Sequence, residues 1–223
     1  MTRLAAALPA ARGDLRRDEP MARHTSWRVG GPAAQFYRPA DSADLVAFLQ
    51  QLEPGEPLLW LGLGSNLLVR DGGFDGTVIL LQGQLNSLVV HGDRVDVEAG
   101  VACAKTARAC ARAGLTGAAF LAGIPGTMGG ALAMNAGAFG AETWDIVSSV
   151  ETVDRQGNLR HRQADEYTVA YRRVSGHEGE WFVAAQLALQ PGEASASRQR
   201  VRQLLDRRAA TQPVGTANAG SVF

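Results

Sequence analysis

The chain has 223 residues, of which 46% are hydrophobic and 20% charged, with Lys+Arg and Asp+Glu both at 22. This length supports one large or two small domains with a real core. With the charge even, nothing points to a nucleic-acid or anionic-membrane binder, and no apolar run is long enough for a membrane span. Cys103 and Cys110 lie two turns apart on one predicted helix, a spacing that suits neither a metal site nor a disulfide. They read as small buried residues of a protein in a reducing, cytoplasmic compartment.

Residues 1–21 read as a mobile tail, too short and interrupted to be a signal peptide. Residues 24–33 read as an ordered entry segment and turn, and residues 35–39 as a short strand. Asp41 or Ser42 caps a helix whose apolar residues Leu45, Val46, Phe48 and Leu49 recur at helical spacing. Pro54-Gly55 ends it, and residues 57–61 form a buried strand, so the opening unit is β-α-β. That strand runs into a first glycine turn, Gly62-Leu63-Gly64-Ser65-Asn66-Leu67. The turn lacks the third glycine of a dinucleotide fingerprint, and residues 67–70 are strand-like rather than helical. It reads either as a hairpin turn or as a nest of amides for a pyrophosphate, with Ser65 and Asn66 adding side-chain donors.

Residues 76–81 follow as a strand, then a hairpin of 87–91 with 94–98, then a helix over 102–113 stopped by Gly114. The densest motif comes next: Ala122-Gly123-Ile124-Pro125-Gly126-Thr127-Met128-Gly129-Gly130-Ala131, running on to Asn135-Ala136-Gly137-Ala138-Phe139-Gly140. One reading is a turn before a small-residue helix. The other is a second backbone cradle, where missing β-carbons let a ligand lie on the main chain. No charge interrupts residues 121–140, and a first cradle lies upstream, so a large phosphate-bearing ligand is favoured. A hairpin of 147–153 with 158–162 and a strand over 181–189 complete a second unit. A boundary at Pro191-Gly192 precedes an arginine-rich helix over 197–210 with Val201, Leu204 and Leu205 inward. Residues 215–223 place an apolar end after a small-residue loop and read as an interrupted structure. The four histidines are scattered, so no base cluster or metal site emerges. Asp165-Glu166 reads as a cap rather than a catalytic dyad.

These segments together resemble the UDP-N-acetylenolpyruvoylglucosamine reductase family, flavoenzymes that complete UDP-N-acetylmuramate for bacterial cell-wall peptidoglycan. The likeness is carried by residues 24–33, 61–68, 122–131 and 135–140, by Tyr171-Arg172, and by the closing Asn218-Ala219-Gly220-Ser221-Val222-Phe223. It spans residues 22–223 and matches the family's shorter subtype, C-terminally incomplete. The resemblance implies an α+β protein with an FAD-binding fold of the vanillyl-alcohol-oxidase (PCMH) type. Its parts would be a β-α-β subdomain over 22–85, an antiparallel-sheet α+β subdomain over 86–190, and the start of a substrate domain over 191–223. It implies non-covalent FAD, NADPH as reductant and a UDP-sugar substrate, in a cytoplasmic enzyme that is monomeric when full length. Gly62, Gly64, Ser65, Asn66 and Leu67 would hold the pyrophosphate, and Ile124, Pro125, Gly126, Gly129, Gly130 and Gly137 would line the flavin. Ser221 would donate the proton and Arg172 would stabilise the substrate, with Tyr171 and Asn218 also binding it. The chain departs from the family at Ala119, where glutamate is usual, and at Phe139, where tyrosine is common; the resemblance implies a further segment, carrying a catalytic glutamate, beyond Phe223. Two alternatives stand beside the reductase: a non-catalytic or truncated FAD-binding protein of the same superfamily, and a sugar-nucleotide module without flavin.

Overall fold

The structure is a computed structural model that describes residues 11–212. Two sheets organise it. In the first, β1 (Asp14–Pro20) lies antiparallel to β2 (Pro32–Arg38), and β2 runs parallel to β4 (Phe74–Leu80), which runs parallel to β3 (Leu58–Leu61). Helix α1 (Ser42–Leu49) connects β2 to β3. The β-α-β expectation holds in the chain order, but its two strands are not neighbours, because β4 lies between them. Of the two candidate caps, Asp41 is the one used: its carboxylate accepts from the Asp44 amide at 2.8 Å.

The expected mobile tail is corrected over residues 14–20. They form an edge strand paired with β2 from Asp14 opposite Arg38 to Pro20 opposite Pro32, and Met21 is fully buried. The sequence of β1, Asp-Leu-Arg-Arg-Asp-Glu-Pro, has no apolar alternation to announce it. Polar anchors hold it instead. Arg12 pairs with Asp41, the Gly13 amide donates to the Tyr37 hydroxyl at 3.0 Å, and that hydroxyl donates to buried Asp44 at 2.7 Å.

The second sheet is antiparallel throughout. Its centre is the strand Glu180–Ala188, flanked on one side by Val147–Asp154 and then Leu159–Gln163, and on the other by β6 (Arg94–Glu98) and then β5 (Leu88–His91). One face of this sheet carries Val95, Val97, Val150, Ala185 and Leu187 into the main core, together with α2 (Cys103–Arg112), α3 (Met128–Met134) and α4 (Ala194–Thr211). Cys103 and Cys110 are buried and free there, and burial pushes their thiols up to about 12 and about 11. Gly114, with φ of 74°, ends α2 as the sequence indicates.

The two sheets meet across α1. Tyr37, Leu45, Phe48, Leu49 and Ile79 from the first share one core with Val153 and Val183 from the second. Phe36 and Val78, one residue along their strands, face a separate cluster with Met21, Leu61 and Val69, as the two-residue period requires. Trp60 of β3 stacks on Trp181 across the seam, centroids 5.1 Å apart, and Arg155 donates to the Glu56 carbonyl at 2.6 Å. Helix α4 buries Val201 and Leu204 against α2 and the short turn Ala119–Gly123.

Candidate active site

The first glycine turn leaves the C-terminal end of β3 and is braced from beneath. Ser26 donates its amide to the Gly64 carbonyl at 3.1 Å. Gly64 has φ of 63°, and a β-carbon there would collide with the His24 carbonyl, so conformation and space both demand glycine. A β-carbon at Gly62 would collide with the Thr127 hydroxyl. Residues 67–70, expected to be strand-like, join no ladder; Val69 is buried and Leu68 is exposed.

The second glycine stretch meets the first at this point. Thr127 is the N-cap residue of α3, is 2% exposed, and stands directly behind Gly62. A β-carbon at Gly126 would lie 3.8 Å from Ser65 Oγ. Met128 and Gly129 spend their amides on the carbonyls of Val101 and Ala99, at 2.8 and 2.9 Å, which fixes α3 to the turn after β6. The two motifs, some sixty positions apart in sequence, therefore form one continuous backbone surface.

Within the second stretch the glycines divide by task. Gly126 and Gly130 face open space, with nothing nearer than 3.8 Å to a β-carbon. At Gly129 a β-carbon would lie 2.9 Å from that of Ala99, so its missing side chain makes room for the packing of α3 against the turn after β6. Gly137 sits in the tight turn before Glu142, where a β-carbon would crowd the Ala141 carbonyl at 2.9 Å. Ile124 is buried in the main core, whereas the neighbouring Pro125 is exposed. The Phe139 ring packs on Gly123, and Arg207 of α4 lies over that ring at 5.8 Å.

Tyr171 and Arg172 form the tip of a hairpin between the strands Thr168–Ala170 and Arg173–Ser175. Tyr171 is 72% exposed. Arg172 adopts φ of 53° and donates from Nη2 to Asn66 Oδ1 at 3.0 Å, across 106 positions of sequence. The expected substrate arginine thus lies on the expected pyrophosphate loop. The hairpin is tied from behind by Asn135, a residue the sequence reading included in its motif without assigning it a task. Asn135 ends α3 in the left-handed conformation and is 3% exposed. Its Nδ2 donates to Glu142 at 2.6 Å and to the Ala170 carbonyl at 3.4 Å, and its Oδ1 accepts from the Trp144 amide at 3.2 Å. Its one advance signal is its place just after a small-residue helix, where asparagine tolerates positive φ. Ser221 and Asn218 lie outside the described residues.

Asp165-Glu166 behaves as the cap it was expected to be: Glu166 accepts from the Gln163 amide at 2.7 Å. Among the described residues no group of His, Cys, Asp and Glu is arranged to hold a metal. A permanently charged guanidinium above a bare backbone surface suits an anionic, planar, phosphate-bearing ligand. FAD fits it: Gly126 and Gly130 leave room for a flat ring, and the loop over 62–66 offers amides without bulk.

Comparison with known proteins agrees with this geometry. The FAD binding domain family matches residues 33–162. The UDP-N-acetylenolpyruvoylglucosamine reductase of Alkalilimnicola ehrlichii is 63% identical over 211 residues, covering 95% of this chain and 71% of the relative. That of Methylococcus capsulatus is 57% identical, covering 96% and 70%. The crystal structure of the reductase from Thermus caldophilus superposes with a TM-score of 0.80 at 29% identity, over 95% of this chain and 74% of that one. With a bare backbone cradle, an arginine above it, and this identity over seven tenths of its relatives' length, the chain belongs to the UDP-N-acetylenolpyruvoylglucosamine reductase family.

Proposed function

We propose that this protein reduces the enolpyruvyl group of UDP-N-acetylglucosamine-enolpyruvate to give UDP-N-acetylmuramate, with FAD as cofactor and NADPH as reductant. The observation that carries the reading is the contact of Arg172 with Asn66, which joins the proposed substrate residue to the proposed cofactor loop. When bound, FAD supplies the hydride relay between the nicotinamide and the enolpyruvyl carbon. The chain's own residues do the rest. Gly62, Gly64, Ser65, Asn66 and Leu67 hold the pyrophosphate, their amides countering charge without bulk. Gly126 and Gly130 leave their faces open to the ring. Pro125, and the backbone of Ile124, Gly129 and Gly137, border it.

Arg172 binds the substrate carboxylate and steadies the negative charge that grows on it as hydride arrives, an interaction stronger in the transition state than before it. Tyr171 and Asn218 border the sugar nucleotide. Ser221 delivers a proton to the neighbouring carbon. Residues 22–85 and 86–190 enclose the cofactor, a division that their two separate sheets support, with β1 joining the first; residues 191–223 begin the substrate domain. The working form is a cytoplasmic monomer.

The test is a two-phase absorbance experiment on flavin-loaded protein. NADPH should bleach the bound flavin, and the enolpyruvyl sugar nucleotide should restore its colour. Binding of flavin with neither response would leave a non-catalytic flavoprotein. Failure to bind flavin at all would favour the sugar-nucleotide module.

A further inference from the structure

We propose that Asn66 is a positioning residue for Arg172, holding its guanidinium over the cofactor cradle. The inference rests on the reading of Arg172 given above and deepens it. Arginine has donors only, so the amide atom facing it must be the oxygen. Oδ1 is therefore committed to Nη2 at 3.0 Å, and the amide nitrogen is the end left for another acceptor. Among the described residues, no acceptor takes it. One side chain thus offers an acceptor to Arg172 and two donors to an anion on the loop. The pyrophosphate proposed for this loop is such an anion.

The surroundings make this grip consequential. Arg172 stands at a hairpin tip with φ of 53°, a conformation a side chain this large enters at a cost. Its backbone is fixed nearby, because buried Asn135 donates to the Ala170 carbonyl. The guanidinium is still separated from that anchor by a flexible stem, and among the described residues its hydrogen bond is to Asn66. The loop that presents Asn66 is braced: the Gly64 carbonyl is bonded to the Ser26 amide, and Gly62 is backed by Thr127. Asn66 therefore ties the orientation of the substrate-binding charge to the segment that carries the cofactor.

Two readouts test this, one of them independent of turnover. In the apo protein, Asn66→Ala should speed modification of Arg172 by phenylglyoxal, read by peptide mass spectrometry, by about 3- to 10-fold, the factor of one released hydrogen bond. Arg160 and Arg162, which pair with Glu180, should keep their rates. In the flavin-loaded full-length protein at saturating FAD, Asn66→Ala should slow recovery of flavin colour by the sugar nucleotide by a similar factor. Asn66→Asp keeps an acceptor oxygen and should restore recovery at saturating FAD, although it weakens FAD binding. In an Arg172→Ala background, Asn66→Ala should have no further effect on recovery. An unchanged Arg172 modification rate overturns the proposal. So does a full Asn66→Ala effect in the Arg172→Ala background. If Arg172→Ala alone leaves recovery untouched, the role of Arg172 falls, and the modification rate still decides whether Asn66 holds it.

Discussion

Gly129 and Gly130 are consecutive glycines in one short helix, and alanine should act on them with opposite signs. At Gly130 a β-carbon meets nothing nearer than the Thr127 hydroxyl at 4.0 Å. Alanine there removes backbone freedom from the unfolded chain and should stabilise the apo protein by about 0.5–1 kcal/mol. For a protein of this size that is a rise in melting temperature of about 1–4 °C. The same methyl occupies space proposed for the flavin. An overpacked contact costs about 1–3 kcal/mol, so the FAD dissociation constant should rise about 5- to 150-fold. At Gly129 the methyl would lie 2.9 Å from the Ala99 β-carbon and 3.3 Å from the Ala99 carbonyl oxygen, which already accepts the Gly129 amide. Alanine there should destabilise the apo protein by about 1–3 kcal/mol, less the gain in helix propensity. Urea denaturation of apo protein and a fluorescence titration with FAD measure the two quantities. A less stable Gly130→Ala apo protein, or one that keeps its FAD affinity within about twofold, would refute this account of the open face.

Ser221→Ala should leave bleaching by NADPH near normal and slow recovery of the flavin by at least about 10²-fold, the lower range for a lost general acid; stopped-flow absorbance separates the phases, and an unchanged recovery removes Ser221 from the reaction. Tyr37→Phe deletes a buried hydroxyl that donates to Asp44 and accepts from Gly13, and should cost about 1–3 kcal/mol in urea unfolding, with the loss of the β1 anchor visible as faster hydrogen exchange over residues 14–20. Acid should act through carboxylates that the fold holds ionised, Glu180, Asp154 and Asp44 among them. Arg162 holds Glu180 below its usual range; burial pushes Asp154 and Asp44 upward, but Asn158 and Arg160 around the first, and the Arg12 amide and Tyr37 hydroxyl around the second, outweigh it. Each is thus lower in the folded than in the unfolded chain, so its contribution is complete above the ordinary values of 3.8 for aspartate and 4.5 for glutamate, and is lost as pH falls through the folded value. Urea midpoints should hold from neutrality to about pH 5 and then fall, and a fall already complete at about pH 5 would contradict the sign.

What could be read in advance follows from where the information lies. The helix over 102–113 with its stop at Gly114, and the hairpin of β5 with β6, were legible because each is specified within a dozen residues. The glycine motifs declared a backbone surface for the same reason. β1 did not, since its order comes from Tyr37, Asp41 and Asp44, residues more than twenty positions away that a local pattern cannot register. The placement of β4 between β2 and β3 was hidden for a related reason: adjacency in a sheet is a property of the whole topology. In the site, the two cradles were legible but the division of labour among their glycines was not. Whether a missing side chain makes room for a ligand or for Ala99 depends on a neighbour thirty residues back. The contacts Arg172–Asn66 and Asn135–Ala170 likewise exist only after folding.

The core around α1 has a consequence for the order in which the protein can be made. Leu45, Phe48 and Leu49 are covered in part by Val153 and Val183, which belong to the other sheet. A ribosome adding about 5–20 residues per second takes roughly 7–27 s to travel the ~130 residues from Leu49 to Val183. During that interval the helix and both of its flanking strands have left the tunnel with one flank of their core still unsynthesised. The nascent half-protein is therefore an apolar surface awaiting its other half. We expect arrested chains ending before Val183 to be held by chaperones or degraded, and chains extending well beyond it to resist proteolysis.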